Sequence, residues 1–439
     1  MIRCRFPACV IILSSIIVIM VHSSSVIHRG VPHGAYIHIP FCRRRCFYCD
    51  FPIKVVGDGY TPDSFQSYVD LVTKEIALSV IDTAHGIFPL HTIYFGGGTP
   101  SLLPNHQIKS IIGVLRANIG IRSDCEITIE IDPGTFDTNK LQSWLELGIN
   151  RFSLGIQSFE DNVLEKAGRA HRRVDIDSAL GALQSSDQEI NYSIDLISGL
   201  PYLTMDTWIS TLDLASKSGA SHISIYDLQI EEKTAFGRWY GGMKEGSQSP
   251  LPSEDDAVRM YETAVETLTS RGFEHYEVSN YALPGRRSRH NQLYWNCDPT
   301  YGFGMSAASY TNGIRMTRPR TLAEYKDWVH RLARDGYASL SAESQRSLCI
   351  EDPTLDQVQE RVMLALRTSD GLDLGSLRRE FSIDVTDKIL AGCAPYLADG
   401  TALLLSAEED DLPILRLSDP KGFLISNDVI SSIFAALSD

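Results

Sequence analysis

Cys42, Cys46 and Cys49, in the run Ile39-Pro-Phe-Cys-Arg-Arg-Arg-Cys-Phe-Tyr-Cys-Asp50, bring three thiolates out of one short loop with C-x3-C-x2-C spacing. Thiolate is the ligand that iron–sulfur clusters take, and a four-iron cluster held by three cysteines keeps one iron open for a small molecule. A structural zinc site wants four nitrogen or sulfur ligands, usually from two knuckles. Here the next cysteine is Cys125, with no paired C-x2-C after it, which leaves His38 as the nearest further donor. A disulfide framework belongs to short secreted chains, and 9 cysteines in 439 residues, otherwise scattered singly, do not form one. The spacing favours a cluster, provided that the structural context agrees.

Strands must carry that loop. Gly34-Ala-Tyr-Ile-His-Ile39 alternates and is rich in β-branched and aromatic residues, so it reads as a strand running into the cysteines. His91-Thr-Ile-Tyr-Phe-Gly-Gly-Gly-Thr-Pro100 reads as a second strand ending in glycines, where backbone can approach a ligand closely. The lysine and Ser/Thr of a phosphate P-loop are missing, and a triple glycine by itself is as often only a tight turn. Six strands are expected, at Tyr36–Ile39, Thr92–Phe95, Glu126–Ile131, Arg151–Ile156, Tyr192–Ile197 and His222–Leu228. Helical stretches such as Asp63–Val80 and Pro104–Asn118 separate them. Alternating β/α units argue for a parallel sheet covered by helices, with ligand chemistry at the carboxyl ends of the strands. Glu130, Gln157 and Asp195 are polar residues at or near such ends. Each is either a satisfied hydrogen-bonding group of the core or a ligand contact.

Past Gly241 the stretch to Pro252 is rich in turn residues, and a helix is expected from Ser253, its N-cap, to Arg271. His290-Asn-Gln-Leu-Tyr-Trp295 follows, then Gly302-Phe-Gly-Met-Ser-Ala-Ala308. A histidine beside aromatics is usually a packed, hydrogen-bonded residue, although imidazole can also ligate heme iron. From about Cys349 onward Val358, Val362, Leu364, Leu366, Leu372, Leu374 and Leu377 suggest amphipathic helices, and Thr401–Ser406 with Ile414–Ser418 suggest a hairpin or wing.

The cysteine triad followed by Gly-Gly-Gly-Thr-Pro resembles the radical S-adenosylmethionine superfamily. Within it, the chain from about Gly34 onward is most similar to the group of oxygen-independent coproporphyrinogen III oxidases and HemW-like heme chaperones. The resemblance implies an α/β fold, a partial (β/α)6 barrel with a C-terminal helical, winged-helix-like domain. It also implies a [4Fe-4S] cluster on Cys42, Cys46 and Cys49, whose open iron binds S-adenosylmethionine so that one-electron reduction yields a 5′-deoxyadenosyl radical. By matching motifs, Tyr36, Gly97, Glu130 and Ala308 would contact that cofactor, while Gly98, Thr99, Gln157, Arg169 and Asp195 would contact a second one, a site known for the oxidase branch. The H-N-x-x-Y-W motif of the chaperone branch is present at His290–Trp295, which makes His290 a candidate heme contact. The oxidases carry a fourth cysteine two positions after the third and extra chain before the loop; here Phe51 occupies that position and the extra chain is lacking. The resemblance therefore implies heme as cargo, passed to acceptor proteins with the help of an electron donor. The alternative is radical decarboxylation of coproporphyrinogen to protoporphyrinogen IX.

The bulk properties allow this. A length of 439 residues gives room for two or three domains, and 43% apolar with 22% charged residues is ordinary globular composition. The expected divisions are a targeting segment at 1–33, the barrel at 34–240, an extension at 241–345 and the C-terminal domain at 346–439. A formal charge of −15, with 17 acidic against 8 basic residues in 346–439, excludes a nucleic-acid reading of the winged domain. Arg3 and Arg5 precede a 14-residue run, Ala8–Val21, apolar except for Ser14 and Ser15. The run reads as a signal-like targeting segment, too short for a confident membrane span. Secretion would oxidise the thiolates, so an organelle, mitochondrion or plastid, is favoured. A start placed too far upstream would instead leave the protein in the cytoplasm. No membrane span is expected in the mature protein.

Overall fold

The computed structural model describes residues 31–79, 88–186, 188–242, 249–311, 313–337, 339–340, 353–381, 383–405 and 412–438. The expected targeting run, Cys349 and most of the Gly/Ser-rich stretch after Gly241 lie outside these residues.

The six expected strands form, five of them slightly longer than expected and the last one residue shorter: β1 Gly34–Ile39, β2 Leu90–Gly97, β3 Ile121–Ile131, β4 Arg151–Gln157, β5 Tyr192–Ser198 and β6 His222–Asp227. Each is parallel to the next in chain order. Helices α1 Asp63–Leu78, α2 Asn105–Asn118, α3 Thr138–Glu146, α4 Asp161–Lys166, α5 Arg173–Gln184 and α6 Met205–Lys217 make the crossovers. Phe65, Tyr68, Val69, Val72 and Ile76 of α1 recur at helical spacing and are all buried. The strands supply the facing apolar row, including Ile93, Phe95, Ile127, Ile129, Phe152, Leu154, Ile194 and Leu196. Alternate positions carry Tyr94, Glu130, Ser153 and Asp195, whose side chains hydrogen-bond across strands. One face of the sheet is thus a helix-covered core and the other a polar lumen.

The sheet is wider than six strands. β7 Glu274–Glu277, β8 Asn280–Ala282, β9 Thr300–Phe303, β10 Ala308–Thr311 and β11 Ile314–Thr317 complete the order β11-β10-β9-β1-β2-β3-β4-β5-β6-β8-β7. β9 is parallel to β1, while β8 pairs antiparallel with β6, so the sheet is open, with β11 and β7 at its edges. Residues set apart by composition as an extension therefore add strands to both ends of the barrel sheet. Between them, helix α7 is Ala235–Tyr240, α8 is Glu254–Thr269, capped by Ser253 as expected, and α9 is Arg289–Trp295. A further helix, α10 Leu322–Asp335, packs on α1.

At the C-terminal end the expected hairpin forms, Ala402–Leu405 pairing antiparallel with Ile414–Leu417. Leu372 falls in a short third strand of that sheet rather than in a helix, which begins only at Leu374.

Candidate functional site

The cysteine loop is tied down at both ends. Phe41–Cys42 pairs in parallel with Lys54–Val55, and Arg45 donates to the carbonyls of Cys49, Phe51 and Ile53 at 3.1–3.2 Å. The amides of Gly98 and Thr99 donate to the carbonyls of Ile39 and Phe41, at 2.8 and 2.7 Å, and so lash the glycine end of β2 to the start of the loop. The glycines are needed for that approach. Gly97 has φ +113°, and a Cβ there would lie 2.5 Å from the His38 ring; one on Gly98 would lie 2.7–2.9 Å from the backbone of residues 39–41. The triple glycine thus first serves packing, which a reading based on ligand approach alone did not anticipate.

Loop and strand ends enclose a cavity of about 470 Å³ at the carboxyl ends of the barrel strands, within the usual range for small-molecule sites. Cys42, Cys46, Cys49, Gly97, Gly98, Thr99, Glu130, Gln157, Arg169 and Asp195 all line it. Tyr36 lies just beneath: its ring faces Tyr94 at 6.0 Å, and a Cβ on Gly96 would sit 2.9 Å from both Tyr36 and Glu130. Ala308 lies further out along the same row, since Tyr36 pairs with Gly302 and a Cβ on Gly302 would meet the Ala308 backbone.

His290 is placed elsewhere. It is buried near the amino end of β2, with Nδ1 2.7 Å from Thr92 Oγ1, Nε2 2.9 Å from Tyr294 Oη and its ring stacked on Tyr94. Burial, helped by the nearby Arg151 charge, pushes the imidazole down to about 3. Both ring nitrogens thus face side-chain hydroxyls, and His290 does not line the cavity that holds the cysteines. The Glu126 carboxylate accepts the amides of Arg289 and His290, which fixes the start of α9 beneath the lumen. His38 is likewise committed, between Tyr36 Oη and the Pro52 carbonyl.

Burial pushes the Cys42 thiol up to about 12 and the Cys49 thiol in the same direction. Such thiols become good ligands only when a cationic centre pays for the charge. Among the described residues no set of His, Cys, Asp or Glu side chains converges on a single-ion site. Three soft donors around one cavity suit a polynuclear cluster better than a lone zinc ion, and the residues present fit the group that the loop spacing suggested.

The rest of the lining sets the cations Arg43, Arg44 and Arg169 against a larger number of carboxylates, with Glu130, Asp132 and Asp195 at the strand ends. Glu130 is pushed up to about 7 by burial, and Asp195 and Asp132 add to this against hydrogen bonds from the Gly97 amide (2.9 Å) and Tyr94 hydroxyl (3.0 Å). Asp195 is also raised by burial, while Ser153 donates to it at 2.9 Å. Such a wall is complementary to a cationic ligand. Gln157 has φ +67°, left-handed backbone that a non-glycine residue adopts at a cost, at the irregularity where β4 leaves β5. Asp132, Tyr48, Ser153 and Tyr226 also line the cavity or its loop and were not singled out from the sequence. The strand-end rule that found Glu130 would have found Asp132 as well.

The family model of the radical SAM superfamily matches residues 36–215. The chain is 42% identical to the heme chaperone HemW of Synechocystis sp. over 423 residues, 93% of this chain and 98% of the relative. To the heme chaperone HemW of Bacillus subtilis it is 32% identical, over 77% of this chain and 84% of the relative. In fold it matches the coproporphyrinogen III oxidase HemN of Escherichia coli with a TM-score of 0.72 at 21% identity, covering 93% of this chain and 90% of that one. An open α/β sheet with three thiols at its carboxyl end, matched over 93% of its length by the Synechocystis chaperone at 42% identity, places this chain in the HemW family of the radical SAM superfamily.

Proposed function

We propose that the protein holds heme and passes it to acceptor proteins, with a [4Fe-4S] cluster on Cys42, Cys46 and Cys49 and S-adenosylmethionine in the adjoining cavity. Membership of the radical SAM superfamily itself implies cluster and S-adenosylmethionine; heme as cargo is the further step. The observation that carries it is the near full-length likeness to HemW chaperones, joined by Phe51, which lines the cavity where the oxidases have a fourth cysteine.

When bound, the cluster and cofactor supply one-electron reductive chemistry. In this reading the acidic floor, Glu130 above all, orients the cationic cofactor. Tyr36, Gly97 and Ala308 complete the first S-adenosylmethionine site, and Gly98, Thr99, Gln157, Arg169 and Asp195 would serve a second. The divisions at 34–240, 241–345 and 346–439 are kept as units of sequence, although strands from the second unit complete the sheet of the first. An organellar location is proposed from the N-terminal apolar run, and sequencing the mature N-terminus would test it. Among the described residues no helix is long and apolar enough to cross a membrane.

Anaerobically reconstituted protein should bind heme stoichiometrically in a Soret titration and release it to an apo-acceptor. It should not convert coproporphyrinogen in the presence of S-adenosylmethionine and an electron acceptor. Turnover of coproporphyrinogen without heme binding would establish the oxidase alternative, which shares the fold.

A further inference from the structure

We propose that Arg169 raises the reduction potential of the cluster on Cys42, Cys46 and Cys49 by donating a hydrogen bond to the Cys46 sulfur. The inference rests on the cluster assignment and is independent of heme.

Arg169 Nη1 lies 3.4 Å from Cys46 Sγ, while Nη2 lies 2.6 Å from Asp132 Oδ1 and 2.8 Å from the Gly155 carbonyl oxygen. Its backbone amide donates to Leu164 at 2.9 Å, just after Gly168 turns the chain with φ +75°. The residue is only 8% exposed. Asp132 therefore grips one arm of a planar fork and aims the other at the sulfur, a pre-organisation that the point charge of a lysine lacks. Thr99 is a second donor from the barrel, its hydroxyl 3.6 Å from Cys42 Sγ.

Reduction adds one negative charge to a cluster and its thiolates. A donor already aimed at a ligating sulfur stabilises that charge more than it stabilises the oxidised state, and hydrogen bonds to sulfur are among the protein's means of setting cluster potentials. The guanidinium stays protonated throughout, so the step is uptake of one electron from an external reductant, with no bond made or broken. The arrangement also separates this role from contact with a second S-adenosylmethionine. A sulfur donor acts without cofactor present, whereas a cofactor contact does not.

The test is a dithionite titration of reconstituted full-length protein, followed by electron paramagnetic resonance without S-adenosylmethionine, after iron and sulfide are counted. Arg169→Met and Thr99→Val should both shift the midpoint to more negative potential, with Arg169→Lys between wild type and Arg169→Met. A wild-type midpoint in Arg169→Met with full iron and sulfide overturns the proposal, and weakened S-adenosylmethionine binding in that same variant would assign Arg169 to the cofactor. If Arg169→Met assembles no cluster, the other two variants decide, and unchanged midpoints in both overturn it. Failure of the wild-type protein to form a cluster would instead remove the assignment beneath it.

Discussion

Glu130 is the side chain whose protonation should be read most directly in binding. Its carboxyl titrates near 7 because burial outweighs the Gly97 and Tyr94 hydrogen bonds, so it becomes a full anion for a cationic ligand only above that pH. Affinity for S-adenosylmethionine, measured by calorimetry on cluster-loaded protein, should fall as pH drops through about 7, and Glu130→Gln should be weak and flat across the range. The same raised value makes Glu130 stabilise the fold fully below its ordinary carboxylate range, with that contribution lost as pH rises through 7. Buried His38, His171 and His290, held down to about 4, 4 and 3, act in the opposite sense and make stability rise with pH up to the ordinary imidazole range. The thermal comparison therefore has to be the difference between wild type and Glu130→Gln, which should shrink from pH 5.5 to 8; a constant difference would mean that the carboxyl titrates normally. At His290, loss of the bonds to Thr92 and Tyr294 predicts that His290→Ala lowers stability by about 1–3 kcal/mol and leaves the Soret band of bound heme in place. A lost Soret band at unchanged stability would return this residue to the iron.

Helix α1 shows what a sequence conceals at the scale of an element. Glu75 continues the hydrophobic stripe of Val72 and Ile76, yet a lone glutamate on a helix ordinarily reads as solvent-facing. In the fold it is fully buried and accepts from Arg318 Nε at 2.7 Å, the Gly304 amide at 2.8 Å and the Tyr325 hydroxyl at 2.6 Å. Tyr68, about two helical turns earlier, donates to the His38 carbonyl at 2.7 Å and accepts from the Met305 amide. Together they clamp the end of β9 and the start of α10 to the strand that carries the cysteine loop. Removing one partner leaves a buried charge unpaired, so Glu75→Ala should cost about 3–5 kcal/mol in denaturant unfolding. A cost under about 1 kcal/mol, the scale of an exposed pair, would mean that the clamp is not formed. The six parallel strands were legible because each is a self-contained apolar run bounded by turn residues, and the polar residues at their ends marked the site face. The seventh parallel strand, β9, was not read as one. Its four residues, Thr300–Phe303, carry little periodicity, and their place beside β1 is fixed by pairing across more than 250 positions of chain. Likewise Arg169 could be read as a surface arginine because its partners, Asp132 and Cys46, are distant in sequence.

The molecule as a whole is held together at the β7 edge of the sheet, where the C-terminal elements dock. Val278 and Ser369 donate backbone hydrogen bonds to Arg367 and Tyr276 at 3.0 and 2.9 Å, and Glu277 forms a β-bridge with Thr368. His275, stacked on Tyr281, has Nδ1 2.8 Å from Asp419, and Arg287 holds Asp370 with both carboxylate oxygens at 3.0 Å. These contacts cover an edge that would otherwise present unpaired backbone groups, and they are far in the chain from the cysteine loop. The His275 bond is the buried one, and its loss strands a ring whose Nε2 has no hydrogen-bond partner among the described residues. The Arg287 pair is largely exposed on the Asp370 side and counts for less. Asp419→Ala should therefore loosen the docking more than Asp370→Ala. Hydrogen exchange should rise across 274–281 and 414–424 in the first variant and stay near wild type in the second, while both keep full iron after reconstitution. Equal protection in the two variants would show that the backbone bridge alone carries the joint, and iron lost along with protection would show that the C-terminal elements reach the cluster site through the sheet.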